Sequence, residues 1–235
     1  KQLIILFYFL TGVLTPSISI ALVIGSDQEE IYIDANFSGE ELLVFGAFYS
    51  DPSQSRDSKS DILIEVVGPP EDVALRKKET YFGFWLNSKS VTFRDVPGFY
   101  YLSSTSELSD EFLTNNQIGL LEKKKSEMID WSLLTTAWGY VVNEKEKEEF
   151  YNALIRTKQN DSLYKQVSDE IEIIDGNLFR SYIDIPNTVP VGEYNVNLHL
   201  IIDNEISQEY SYNVMVTRVG IEEAIYSFSK NYPFF

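Results

Sequence analysis

The sequence predicts a mainly β protein, an immunoglobulin-like β-sandwich that carries a helical insertion. Three observations predict it. Residues 185–216 read as a hairpin of two alternating strands, and short strand patterns fill the chain before about residue 104. Between these regions, at about residues 107–166, apolar side chains recur at helical spacing instead of at every second position. The order of strands, then helices, then strands argues for one sandwich with an insertion rather than two independent domains.

The hairpin is the plainest element. Val189-Pro190-Val191-Gly192 supplies a rigid turn, after which Tyr194, Val196, Leu198 and Leu200 alternate with Asn195, Asn197 and His199. That period of two belongs to a strand with one apolar and one wet face. Asp203-Asn204 closes the hairpin, and Tyr210, Tyr212, Val214 and Val216 return on one face with Glu209, Ser211 and Asn213 on the other. The apolar surface shared by the two strands requires a second sheet to cover it.

From the start of the chain, residues 3–14 form an apolar run behind Lys1, and Ser19-Ile20-Ala21 is a small-x-small cleavage signal. Residues 1–21 therefore read as a signal peptide. A run of about a dozen apolar residues falls short of the roughly 20 that a membrane span requires. Residues 30–37 alternate as a strand, Ser38-Gly39-Glu40 turns the chain, and 42–49 forms the next strand. The polar stretch 50–60 is a loop, 61–67 returns as a strand ending at Gly68-Pro69-Pro70, and 73–78 is a short strand. Arg76, Lys77 and Lys78 suit that strand to a charge-protected sheet edge. Residues 82–86 and 90–93 are expected to flank a turn at Asn87-Ser88, and 100–103 follows Pro97-Gly98.

Ser109 can cap a helix carrying Phe112 and Leu113 that stops near Gly119. Asn143 with Glu146 three residues on makes a capping-box start for a helix bearing Phe150, Tyr151 and Leu154. Between them, 123–142 holds Met128, Trp131, Leu134 and Trp138 at roughly helical spacing. The strand pattern resumes at Ile171, and 178–185 leads into the hairpin. The sandwich is thus expected over 22–218. In 219–235, Ile221, Ile225, Phe228 and Tyr232 share one helical face beside Lys230 and the terminal Pro233-Phe234-Phe235. This reads as a juxtamembrane helix leading to a membrane span beyond it, since aromatic and basic residues gather at the membrane–water interface.

The net charge of -17 excludes a phosphate-backbone partner, so no nucleic acid is expected, and it disfavours anionic headgroups for the same reason. Without cysteine there is no disulfide, thiol nucleophile or Cys-based metal site. The single histidine, His199, falls by alternation on a wet strand face, which leaves serine catalysis without a base. Ser162-Leu163-Tyr164-Lys165 and Ser227-Phe228-Ser229-Lys230 match S-x-x-K, but the companion K-T-G and S-D-N motifs are absent. The carboxylate pairs Glu40/Glu41, Glu148/Glu149 and Glu222/Glu223 sit in polar runs, where nothing would split their pKa values. No calcium-loop or glycine-rich phosphate motif occurs. No catalytic residue, cofactor or metal ligand is assigned, and the protein is expected not to be an enzyme.

The aromatic group Tyr81, Phe82, Phe84, Trp85, Phe93, Phe99, Tyr100 and Tyr101 is dense enough for a binding patch. The candidate interface is Trp85, Asn87, Phe99 and Tyr100. A pocket for a small ligand, lined by Trp85 and Tyr100, is the alternative, and an enzyme working through carboxylates alone is the least favoured reading.

Seven stretches carry a resemblance: ELLVFGAF (41–48), VVGPP (66–70), FWLNSKSVTFRDVPGFYYL (84–102), NQIGL (116–120), ALIRTKQNDSLY (153–164), LFRSYIDIPNTVPVGEYNV (178–196) and VGIEEAIYSFSKNYPFF (219–235). In order and nearly end to end, they resemble a family of alphaproteobacterial envelope proteins described as putative transmembrane proteins. Residues 123–142 depart from the family pattern. The resemblance implies a signal peptide, a periplasmic domain and a single C-terminal span that anchors the domain on the periplasmic side of the inner membrane. Because no nucleophile, base or metal cluster stands out, a non-catalytic interaction or accessory role is expected, and the resemblance implies an association with an anion exporter-type permease or another envelope protein as partner.

Overall fold

The computed structural model describes residues 22–33, 39–48, 60–116, 118–119, 143–218 and 220. The expected signal peptide, the end of the 30–37 strand, the loop 50–59, the 123–142 segment and the 221–235 helix lie outside them. The described residues form strands β1 (Leu22–Ser26), β2 (Glu30–Ile33), β3 (Glu40–Phe48), β4 (Ser60–Val67), β5 (Pro70–Tyr81), β6 (Phe84–Pro97) and β7 (Tyr100–Ser104). Helices α1 (Asp110–Asn115) and α2 (Glu144–Asn160) follow. The chain then returns to strands as β8 (Tyr164–Ser168), β9 (Glu172–Ile174), β10 (Leu178–Ile185), β11 (Gly192–Ile202) and β12 (Glu205–Arg218).

One sheet has the order β1-β3-β10-β9 and the other β2-β12-β11-β4-β7-β8. Pairing is antiparallel except where β2 joins β12 and β8 joins β7. The orders β1-β3-β10-β9 and β12-β11-β4 reproduce the A-B-E-D and G-F-C sheets of immunoglobulin-type sandwiches. Alternation explains the core. Leu42, Val44, Ile183 and Ile185 point inward from the first sheet, Ile62, Ile64, Val196, Leu198 and Val214 from the second, and all belong to one buried cluster. The inward residues expected for the hairpin, Tyr194, Val196, Leu198 and Leu200, are at most 1% exposed. Asp203 and Asn204 both take positive φ, which makes the expected two-residue turn a type I′.

Three expectations are corrected. His199 lies on the outer face of its sheet, opposite Leu63, yet it is only 9% exposed. That face is not wet: Leu63, Tyr100, Leu102 and Ile201 on the same face are buried too. The helical segment contributes Phe112, Leu113, Ile118, Phe150, Tyr151, Leu154 and Ile155 to the same buried cluster.

Second, β8 pairs with β7 from Tyr164, so strand structure begins inside the block read as helical to 166. The pairing joins distant segments and leaves no local periodic signal.

Third, the turn expected at Asn87-Ser88 is absent. The chain reverses at Phe82-Gly83, where φ is 49° and 85°, as a type I′ hairpin requires. Asn87 instead pairs with Lys78 at a β-bulge, which accounts for its polar, turn-like sequence. What reads as three short strands is one long hairpin, β5–β6.

Candidate functional site

The hairpin is an arm, and the sandwich positions it. The β4–β7 ladder ends at Val67 opposite Tyr100, and the β5–β6 ladder begins at Pro70 opposite Pro97. Between them Gly68 N donates to Phe99 O at 2.9 Å and Gly98 N donates to Pro69 O at 2.8 Å. The two ladders therefore form one continuous ribbon through a glycine joint. A Cβ on Gly98 would lie 2.4 Å from Pro190 Cγ, and one on Gly68 would lie 2.9 Å from Phe99 Cβ. The joint is thus packed against the rigid turn before β11. From there the arm's 12-residue first strand spans about 40 Å at the usual rise per residue.

Helix α2 braces the stem. Its N-terminus is fixed by a capping box in which Glu146 N donates to Asn143 Oδ1 at 3.0 Å, and Asn143 N donates to the Glu146 carboxylate at 3.3 Å. From that turn Glu146 pairs with Lys89 of β6, and Glu149 pairs with Lys77 of β5 at 2.9 Å. At the other end Lys158, 5% exposed, pairs with Glu71 and donates to Gly98 O at 3.2 Å. Val91 and Phe93 of β6 are buried in the cluster that holds Phe150 and Leu154 of α2. The hydrogen bond to Glu149 raises the Lys77 pKa, so the cation at this exposed contact is held charged. Replacing Asn143 with Ala is expected to lower stability by about 1 kcal/mol, as is usual for a lost N-cap, and the shift in the urea midpoint measures it.

Beyond the brace the arm is bare. Tyr81, Phe82, Phe84, Trp85 and Leu86 are 48%, 101%, 72%, 71% and 53% exposed. The register places Trp85 opposite Thr80, Phe84 opposite Tyr81 and Leu86 opposite Glu79. Trp85 therefore faces away from Phe84 and Leu86, and the tip is apolar on both faces and at its apex. Tyr81 Oη donates to Glu79 at 3.0 Å. That hydrogen bond lowers the Glu79 pKa, so the carboxylate stays ionised. Arg76 and Lys78 are exposed on the Trp85 side of the ribbon, while Lys77 and Lys89 face the carboxylates of α2.

The direction of the arm follows from strand polarity. Strand β4 runs toward it, β11 runs antiparallel to β4, and β12 runs antiparallel to β11. Gly192 pairs with Val216 near the Asn195–Val67 rung, so β12 delivers Arg218 to the end of the sandwich from which the arm departs.

The four residues of the expected interface do not form one surface. Trp85 and Asn87 lie at the exposed end of the arm, but Phe99 and Tyr100 are 1% and 4% exposed in the core. Phe99 packs against Tyr194 with ring centroids 5.7 Å apart, and the Tyr100 hydroxyl donates to Glu65 at 2.8 Å. Nor do Trp85 and Tyr100 share a pocket. Thirteen residues of ribbon separate their rungs, about 40 Å. The sequence reading missed Phe82 as the apex; the available signal was a Phe-Gly dipeptide between two alternating runs.

The remaining candidates are dispersed. The Nδ1 of His199 lies 3.4 Å from a Glu209 oxygen, off the line of a hydrogen bond. Ser162 stands in a turn at φ 58°, and Lys165 pairs with Glu170 at 3.1 Å. Ser227, Lys230 and the Glu222/Glu223 pair lie outside the described residues. Among the described residues no group of three or more acidic or histidine side chains is placed to hold a metal, and no helix is long and apolar enough to cross a membrane. A groove of about 550 Å³ runs between β5 and α2, lined by Leu75, Arg76, Glu149, Phe150, Arg156 and Thr157 among others.

Comparison with curated proteins finds no match, and comparison with solved structures finds none either. The model of one family, described as "Putative transmembrane protein (Alph_Pro_TM)", matches residues 21–235. Nearly the whole chain is covered, and the protein belongs to this family.

Proposed function

We propose that this protein is a non-catalytic interaction or accessory protein of the bacterial envelope, held on the periplasmic side of the inner membrane by a C-terminal anchor and making contact through its arm. The supporting observation is the arm itself: its five large apolar side chains at the tip stand in solvent, and it leaves the sandwich at the end where β12 terminates. Exposed aromatic clusters of this kind are unfavourable in water unless something covers them. Arm and anchor would then approach one membrane from one end of the domain. An exporter-type permease, or another envelope protein, is the partner that the family resemblance implies. The β5–α2 groove supports a second reading as a small-ligand site, because its volume lies within the usual range for such sites.

Fractionation of cells expressing the natural gene tests the proposal. The product is expected in the membrane fraction and released only by detergent. Recovery in a detergent-free periplasmic extract would overturn the anchored reading.

A further inference from the structure

The geometry points to a lipid surface as the occupant of the arm tip: residues 81–86 insert into the headgroup layer of the bilayer, with Arg76 and Lys78 set behind them on phosphate. This deepens the membrane-held reading above and rests on it.

Shape argues for lipid over a protein groove. A groove covers one face of a ribbon, and here the apex Phe82, the Phe84–Leu86 side and the Trp85 side are all exposed. Only a medium that surrounds the tip removes all of them from water. Depth agrees. From Phe82 back to the rung of Glu79 and Leu86 is three residues, about 10 Å, which matches the depth at which interfacial apolar groups lie. The next rung carries Lys78, and Arg76 follows two residues behind it on the same side as Trp85. An aromatic layer backed by basic residues is the composition of the membrane–water boundary.

Charge agrees locally although not globally. The chain as a whole carries -17, yet within residues 76–89 of the arm, with Lys77 and Lys89 matched by Glu149 and Glu146 of α2, Arg76 and Lys78 stand against the single carboxylate Glu79. Glu79, the one acidic residue in that segment, receives the Tyr81 hydroxyl and lies 4.0 Å from Lys77, so its charge is partly offset where it meets the headgroups. The carboxylates that α2 brings up the arm, Glu146 and Glu149, are paired with Lys89 and Lys77. The sandwich stands behind them, beyond a Debye length of about 8 Å at physiological salt, so its repulsion from an anionic surface is screened. Arm and β12 terminus leave the same end of the sandwich, so a chain anchored after β12 points its tip at that bilayer.

The test uses the 235-residue chain and sedimentation with vesicles of phosphatidylethanolamine and phosphatidylglycerol. The double variant Phe82→Ser/Trp85→Ser is expected to bind at least about a hundredfold more weakly, since each large apolar side chain withdrawn from lipid costs about tenfold or more. Arg76→Gln/Lys78→Gln is expected to weaken binding about tenfold on these vesicles and far less on phosphatidylcholine alone. All four positions are exposed, so the melting temperatures should match that of the parent. In a Trp131→Phe/Trp138→Phe chain, the remaining Trp85 is expected to blue-shift on binding and to be quenched by lipids brominated near the headgroup.

Binding that persists in the double tip variant would overturn the proposal, as would a Trp85 spectrum unchanged by vesicles. So would a tip needed to capture an envelope protein while the chain ignores lipid, which would make it a protein-docking element. That last result would leave the anchored accessory reading standing, whereas a soluble fractionation result would remove the anchored reading and with it the anchor's orientation of the tip, a failure distinct from loss of vesicle binding.

Discussion

Above pH 10 the fold is expected to lose stability steeply, by about 5 kcal/mol at pH 11, while remaining level through neutral pH. The cause is a set of tyrosines buried where phenolate cannot be solvated. Tyr100, Tyr101, Tyr164 and Tyr194 are at most 6% exposed. Burial raises the pKa of each, that of Tyr101 to about 12, and the Glu65 carboxylate adds to the effect at Tyr100. Their hydroxyls are committed as donors, Tyr100 to Glu65, Tyr101 to Glu170, Tyr164 to Pro97 O and Tyr194 to Pro190 O. In the unfolded chain each titrates near 10. Between pH 10 and the folded pKa the unfolded state therefore binds fewer protons than the native state, and stability falls as pH rises. The stabilisation is complete below pH 10 and is lost on passing through the folded values. Each tyrosine contributes about 1.4 kcal/mol per pH unit in that window. Four together approach the whole stability of an ordinary domain, which is about 5–15 kcal/mol. Guanidinium midpoints measured from pH 7 to 11, alongside phenolate absorbance, check this; absorbance rising near pH 10 with unchanged midpoints would contradict it.

Gly98→Ala is expected to cost about 3 kcal/mol, the upper part of the overpacking range, because the joint cannot yield. The added methyl would stand 2.4 Å from Pro190 Cγ and 2.9 Å from Pro69 O, and the second of these is backbone. Relief requires moving either the turn before β11 or the first rung of the arm, and Lys158 already holds that rung through Gly98 O. Gly83→Ala is the internal control. A methyl there meets nothing within 4 Å, so its cost is only the strain of φ 85°, on the order of 1 kcal/mol. Thermal or urea unfolding of the two variants should separate them clearly. Equal losses would mean that the joint is not a packed hinge.

How far the sequence could be read depends on where the information lies. The β11–β12 hairpin was legible because alternation and a two-residue turn are local, and each of Tyr194, Val196, Leu198 and Leu200 is buried as the pattern requires. The start of α2 was legible for the same reason, since a capping box is complete within four residues. His199 shows the limit. Alternation gives the face a side chain shares with its neighbours but not whether that face is covered, and Leu63, Tyr100, Leu102 and Ile201 beside His199 are all buried. Phe99 and Tyr100 show it again: aromatic density in 81–101 does not separate core from tip, and Tyr100 is tied to Glu65, which lies 35 residues away. The arm was obscured by competition between two turn signals. Asn87-Ser88 is the more polar dipeptide, but Gly83 allows the left-handed backbone that closes the hairpin. β1 was not assigned because Leu22–Ser26 continues the apolar character of the residues before it.

A continuous, braced ribbon holds the aromatic tip away from the sandwich. The absence of native cysteine makes a direct distance measurement simple. Spin labels at Phe82→Cys and Glu193→Cys sit at the apex and beside the joint, both exposed, with about 13 residues of ribbon between their levels. Pulsed electron paramagnetic resonance is predicted to give one narrow distribution centred at about 40 Å. A mean below about 25 Å, or a broad spread reaching contact with the sandwich, would show instead that the arm folds back onto it.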